Sequence, residues 1–229
     1  DFSLFQQPAI LPNRFDLKIL KLMTNPELLV DNLKVSFSSK EGKLTAVNGI
    51  SYHLNCGETL AIVGESGCGK TVSALSILRL ISSPPGEIQS GRILFDSKDL
   101  LQLPPRELRE IRGRDIAMIF QDPMTSLNPV LTLGDQITEP LFRHTSLSRK
   151  EAWEKAVEIL NWVEIPSPAE KMHQYPHQLS GGMRQRVMIA MALTCSPRIL
   201  IADEPTTALD VLIQAQIIDL LQHIKGQTG

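Results

Sequence analysis

"TLAIVGESGCGKTVSALSILRL", residues 59–80, joins three unlike stretches without a break. Thr59 to Val63 is a short, unbroken apolar run, which suits a strand covered on both faces, as in parallel sheets. It stops at Gly64. From Gly64 to Thr71 the chain fits G-x-x-x-x-G-K-[ST] at every fixed position, and the helix-forming "TVSALSILRL" follows. In that setting the glycines let backbone N–H groups turn inward as a nest around phosphate oxygens. Lys70 adds positive charge near the outer phosphates, and the Thr71 hydroxyl is placed to ligate Mg2+. The N-terminus of the following helix adds its own partial positive charge. Cys68, inside the loop, reads as a small residue rather than a redox group.

Two further apolar runs end in the same manner. "IAMIF", Ile116 to Phe120, stops at Gln121, and "ILIA", Ile199 to Ala202, stops at Asp203. Periodicity alone leaves buried helix segments open for each of them, but the shared pattern favours strands. In open α/β sheets the ligand crevice lies beyond the carboxyl ends of the strands, so the three endings are expected to converge. Asp203 is then placed in the shell of a Mg2+ ion. Glu204, one residue on, can accept a proton from an attacking water. Alone, the two acids read as readily as a helix start before Pro205; beside a phosphate loop, the catalytic reading is stronger.

Far downstream of the loop lies "LSGGMRQR", Leu179 to Arg186. Ser180 is a natural N-cap, and Gly181 and Gly182 leave the first N–H groups of the helix uncovered, which makes an anion site. Past Arg186 the helix is apolar almost all round and therefore buried. The bland alternative is an ordinary capped helix, but a cap needs only the serine, and two glycines cost stability without a close approach to explain them. A triphosphate has one outer phosphate. If both devices serve it and cannot meet within one chain, the second faces the nucleotide of a neighbouring chain, in a head-to-tail dimer.

Around these motifs, Leu28 to Phe37 alternates as a strand, "SSKEGK" turns, Leu44 to Leu54 forms a second strand, and Asn55 to Gly57 turns again. Between Asp122 and Ser180 no run resembles a sheet strand. Ser148 caps a helix carrying Trp153, Val157, Leu160 and Val163 at helical spacing, and Leu133 to His144 also reads as helical. Pro84, Pro85, Pro104, Pro105 and Pro123 mark loops. The expected organisation is an N-terminal extension over 1–26, either non-native or a native arm, then a β subdomain with the first part of the core over 27–121. A helical subdomain over 122–180 and the second part of the core over 181–229 follow.

Composition sets bounds on this reading. With 229 residues, 42% apolar and 21% charged, the chain is an ordinary globular protein, large enough for one domain with an insertion. A net charge of −2 gives no support to a nucleic-acid binder. Cys56, Cys68 and Cys195 form no CxxC pair, so neither a zinc site nor a disulfide framework is expected. No apolar run nears the roughly 18 residues of a membrane span, and the N-terminus lacks the pattern of a secretory signal. A role at a membrane therefore requires docking on something that spans it.

Taken together, these motifs resemble those of the nucleotide-binding subunits of ABC transporters, over residues 27–229. "GESGCGKT" resembles the Walker A loop, "ILIADEP" Walker B, "LSGGMRQR" the ABC signature, "FQDPMTSLNP" the Q-loop and "TALD" the D-loop. The resemblance implies an α/β fold: a P-loop NTPase (RecA-like) core, a small antiparallel β subdomain and an inserted helical subdomain. It implies ATP and Mg2+ as ligands. Gly64, Glu65, Ser66, Gly67, Cys68, Gly69, Lys70, Thr71 and Val72 would hold the nucleotide, with Thr71, Gln121 and Asp203 around the metal. Glu204 would be the general base, and Gln121 would couple the metal and water site to a transmembrane partner. Ser180, Gly181, Gly182, Gln185 and Asp210 would serve the nucleotide across a dimer, Asp210 against the opposing Walker A region. Phe37 stands where the family places a ring against adenine, and is equally readable as a core strand residue.

More narrowly, "IAMIFQDPMTSLNPVLTLGDQI" and "YPHQLSGGMRQRVMIAMAL" resemble the first of the two ATPases of oligopeptide and dipeptide importers, a group with nickel and glycopeptide relatives. Met183 fits that subunit; its usual partner carries Gln there. The resemblance implies a second ATPase subunit, two membrane permease subunits, an external solute-binding protein, and a peripheral location on the cytoplasmic face of the membrane. One feature departs from the family. The switch histidine expected some thirty residues past Glu204 is not within the chain, and His223 comes too early and reads as a solvated helix residue. The chain is therefore expected to be truncated, and to bind ATP better than it turns it over.

Overall fold

The computed structural model describes residues 26–40, 42–207 and 210–228. The expected extension over 1–26 thus lies almost wholly outside the described residues. Strand β1 (Leu28–Ser39) pairs antiparallel with β2 (Gly42–Leu54) and, on its other side, with β3 (Gly86–Phe95), to which the short β4 (Lys98–Asp99) adds. Along β1, Leu28, Val30, Leu33 and Val35 turn inward, and shifts of register after Val30 let the strand bend over its core. This is the antiparallel β unit. The first two strands lie where alternation puts them, whereas β3 falls in a stretch that the prolines and Gly91 disguise as loop.

Helix α1 (Lys70–Ile77) leaves the phosphate-type loop, and α2 (Pro105–Ile111) follows the β unit. Strands β5 (Ile116–Ile119) and β6 (Ile199–Ala202) pair in parallel, Ile116 opposite Ile199 and Ile119 opposite Ala202. Their unbroken apolarity has a physical reason. Ile116 and Met118 pack into the core beneath the antiparallel sheet, while Ala117 and Ile119 pack into a second core beneath the helices. Both faces of β5 are covered, so no position can be polar.

The stretch between β5 and β6 is helical. It comprises α3 (Pro123–Ser126), α4 (Leu133–His144), α5 (Arg149–Trp162), α6 (Pro168–Lys171), a 3-10 turn at Pro176–Gln178 and α7 (Gly181–Leu193). Caps define these boundaries. The Thr132 hydroxyl accepts from the Asp135 N–H at 3.1 Å, and Ser148 and Glu151 form a reciprocal capping box. Leu133, Ile137, Leu160, Met172 and Ile189 are fully buried against one another; each such side chain contributes about 1.5–3 kcal/mol. Helix α7 packs both on α4 and α5 and on β5, and Arg186 fastens it by donating to the Val163 carbonyl at 2.8 Å. The chain closes with α8 (Val211–Thr228), whose Ile217, Leu220 and Ile224 enter the same core.

Two expectations are corrected. Thr59 to Val63 is not a strand: it pairs with no described strand, and Val63 is 90% exposed. Its apolarity signals a demand for cover on both faces, which the described elements do not supply; Lys225 of α8, donating to the Thr59 hydroxyl at 2.8 Å, is a polar tether there. Prolines also start helices rather than only marking loops. Pro105 and Pro123 each open a helix, where a missing N–H costs nothing and the fixed φ already suits the turn.

Candidate functional site

Gly69 caps α1 with φ 97°, and the carbonyl of Ala46 lies where its Cβ would go, so only glycine brings the loop this close to β2. A second tie sets the helix. The Tyr52 hydroxyl of β2 meets the Ser73 hydroxyl at 2.9 Å, and burial pushes the Tyr52 pKa above its ordinary value, which keeps it a neutral partner. The loop then curls around the Lys70 ammonium, which donates to the carbonyls of Gly64 at 2.7 Å and Glu65 at 2.9 Å. Glu65, Ser66, Gly67 and Cys68 form an exposed turn, and the Cys68 Sγ fills the space beside Gly64.

The ends of β5 and β6 face this loop, as strand endings in an open sheet should. Asp203 continues the β5–β6 ladder, its N–H donating to the Ile119 carbonyl at 3.0 Å, and its carboxylate accepts from the Thr71 hydroxyl at 3.1 Å. Glu204 is held from three directions. The Lys70 ammonium stands 3.6 Å from Oε1, while Oε2 accepts from the Gln121 amide at 2.9 Å and the Thr207 hydroxyl at 3.0 Å. Its φ of 46° lies in the left-handed region, a strain of roughly 1–3 kcal/mol that turns the carboxylate back toward the loop. Lys70, Thr71, Gln121, Asp203 and Glu204, from three distant parts of the sequence, thus form one cluster.

This donor set fits a magnesium ion and a polyphosphate. The Thr71 hydroxyl and Asp203 carboxylate offer adjacent hard oxygens, and Gln121, whose amide nitrogen is engaged with Glu204, keeps its carbonyl oxygen. Among the described residues no group of three or more His, Cys, Asp or Glu forms a metal cage. One carboxylate and a hydroxyl suit Mg2+, which keeps its waters and shares phosphate oxygens rather than filling a protein cage.

Other predicted residues are placed differently. Ser180 caps α7, accepting from the Met183 N–H at 3.3 Å, and Ser180 and Gly181 are exposed; no hydrogen bond among the described residues joins them to the Lys70 loop. Gly182 has a close approach of its own chain to explain it, since a Cβ would stand 3.1 Å from the Ile213 side chain. Gln185 is 1% exposed and donates to the Pro205 carbonyl, so its side chain braces the loop after β6 instead of reaching out to a ligand. Val72 packs into the core beneath the antiparallel sheet. Phe37, opposite Leu44 and Gly86, is half-buried, with part of its ring against that same core. Asp210 accepts from the Ile213 N–H at 3.0 Å and caps α8, while Ala208 and Leu209 of "TALD" lie outside the described residues. Thr207 and Tyr52 are site residues to which the sequence reading assigns no role. Thr207 opens "TALD", where only Asp210 was given one, and Tyr52 has no signal beyond its place in a strand.

A family model described as ABC transporter matches residues 47–207. The chain belongs to that family. Among relatives of this ABC chain, the dipeptide transport ATP-binding protein DppD of Bacillus subtilis is 57% identical over 201 residues, covering 88% of this chain and 60% of DppD. The oligopeptide transport ATP-binding protein OppD of the same organism is 54% identical over 198 residues, 86% of this chain and 55% of OppD. The ABC chain thus spans between 55% and 60% of the length of these curated relatives. Its fold is that of solved ABC cassettes. A dimeric MJ0796 cassette bound to ADP and Pi, in a post-hydrolysis state, superposes with a TM-score of 0.78 at 30% identity, covering 88% of this chain and 84% of that one.

Proposed function

We propose that this chain is the ATP-binding and ATP-hydrolysing part of a subunit that powers the import of oligopeptides or dipeptides across the cytoplasmic membrane. The observation that carries the reading is the single cluster of Lys70, Thr71, Asp203, Gln121 and Glu204, in a chain that is 57% and 54% identical, over 201 and 198 residues, to transport ATP-binding proteins named for dipeptides and oligopeptides. The residues from Gly64 to Val72 would cradle the triphosphate, with Lys70 leaving its loop carbonyls for the outer phosphates. Thr71, Asp203 and Gln121 would hold Mg2+, which neutralises charge on the phosphate oxygens when bound.

Glu204 then acts as general base. It takes a proton from water as the water oxygen bonds to the γ-phosphorus. The bond to the β-bridging oxygen breaks, and ADP leaves with its electron pair. Such a base contributes about 10²–10⁴-fold. Phe37 would offer its ring to the adenine. Ser180, Gly181 and Gly182, uncommitted to the loop of their own chain, would close on the nucleotide of a second ATPase subunit arranged head to tail, with Asp210 near the opposing loop. MJ0796, which shares this fold, is dimeric. No helix among the described residues is long and apolar enough to cross a membrane. By its likeness to importer ATPases, the subunit would work peripherally, on the cytoplasmic face of two permease subunits fed by an external solute-binding protein.

The test is uptake in proteoliposomes holding the full-length subunit with its permeases and partner ATPase. ATP-driven accumulation of a labelled dipeptide or short oligopeptide, lost on Lys70→Ala, is the expected result. Accumulation of nickel with no peptide uptake would overturn the peptide assignment, and accumulation that survives Lys70→Ala would overturn the role of this site.

A further inference from the structure

The Glu204 carboxylate has two oxygens with different neighbours. Oε1 is left toward Lys70, whereas both neutral donors, Gln121 and Thr207, converge on Oε2. We infer that Thr207 is the positioning residue of the hydrolytic base: its hydroxyl fixes the rotation of the Glu204 carboxylate so that Oε1 is the oxygen presented to water. This rests on the reading of Glu204 as the base.

Three features support the assignment. Thr207 grips the glutamate at both ends, since its N–H donates to the Glu204 carbonyl at 3.3 Å while its hydroxyl reaches Oε2 at 3.0 Å and that same carbonyl at 3.3 Å. With one proton to give, the hydroxyl favours the nearer, charged acceptor. The grip also spans a residue held at a strained φ of 46°, a conformation that persists only where its surroundings over-determine it. Finally, the two donors on Oε2 differ in origin. Gln121 stands at the start of the helical insertion, so its bond depends on where that insertion sits. Thr207 lies on the same loop as the base, three residues on, and its bond does not. Removing it leaves Gln121 as the one neutral donor on Oε2, with Lys70 opposite on Oε1, so the rotation of the carboxylate then follows the position of the insertion.

The test is steady-state ATP turnover by the full-length protein carrying Thr207→Val, Thr207→Ala or Thr207→Ser. Thr207 is exposed, so the variants are expected to fold, and a melting curve of each checks this. Loss of a hydrogen bond to a charged group at the reacting centre should lower kcat by roughly 10- to 100-fold in the Val and Ala variants, with KM for ATP within about twofold. Thr207→Ser restores turnover. Added to Glu204→Gln, Thr207→Val should cause no further loss of turnover and no change in ATP affinity, because residues acting as a unit are not additive. Wild-type kcat in folded Thr207→Val, with Glu204→Gln inactive, overturns the inference and leaves the base assignment standing. A raised KM at unchanged kcat makes Thr207 a nucleotide contact and overturns it as well. Full turnover in Glu204→Gln removes the base, and the role of Thr207 with it.

Discussion

Gly69→Ala tests whether the loop is set by its contact with β2. At φ 97° an L residue is strained, by roughly 1–2 kcal/mol. The new Cβ would also run into the Ala46 carbonyl and lie 3.3 Å from the Val47 side chain, and such overpacking costs about 1–3 kcal/mol. The sum is roughly 2–5 kcal/mol. Gly57→Ala isolates the first part, because Gly57 has φ 72° with nothing within 4 Å of its Cβ. For a chain of this size each kcal/mol lowers Tm by about 2–4 °C. Gly57→Ala should therefore cost roughly 2–8 °C and Gly69→Ala roughly 4–20 °C. The cap precedes Lys70 and Thr71 directly, so the displacement reaches both. ATP binding should weaken in Gly69→Ala and hold in Gly57→Ala. Thermal melts and titration with a fluorescent ATP analogue measure the two effects. Equal melting shifts with unchanged nucleotide affinity in both variants would refute the reasoning.

Tyr52→Phe should lower the urea midpoint, because Ser73, only 1% exposed, loses its partner at a cost of about 1–3 kcal/mol; an unchanged midpoint would mean the Tyr52–Ser73 tie is idle. The hydrogen bonds of Ser148, side chain first and then backbone, hold the Glu151 carboxyl below its ordinary value of 4.5. A group depressed on folding stabilises above its unfolded value and loses that contribution as pH falls through its folded one. The capping box should therefore weaken below pH 4.5, and Glu151→Gln should flatten the acid limb of Tm against pH. Parallel limbs in the two proteins would contradict this.

Much of the architecture is legible because local chemistry and tertiary demand agree. Thr132, Ser148 and Ser180 each start a helix where a hydroxyl can take an orphan N–H, and β5 and β6 follow apolar runs that two cores require. What was hidden had conflicting signals. In β3, Gly91 at φ 114° passes so close over Leu33 that a Cβ would stand 2.7 Å from its Cα, and that glycine breaks the strand pattern in sequence. Thr59 to Val63 has strand composition, but a strand exists only when hydrogen bonded to a neighbour. At the site, the loop and the acids could be read from residue types. The convergence of Gln121 with Gly64 and Asp203 follows from three apolar runs that end alike, while the metal and coupling roles of Gln121 came from family resemblance. Thr207 opens the "TALD" stretch, but its bond to Glu204 depends on a backbone turn that no spacing encodes.

The most direct measurement is ATP binding and turnover by the full-length protein carrying Glu204→Gln. The amide keeps the shape of the side chain and its place beside Lys70 but cannot take a proton from water. The account predicts nucleotide affinity within about threefold of the parent, with turnover lower by roughly 10²–10⁴-fold. Turnover near the parental rate, with ATP still bound, would contradict it.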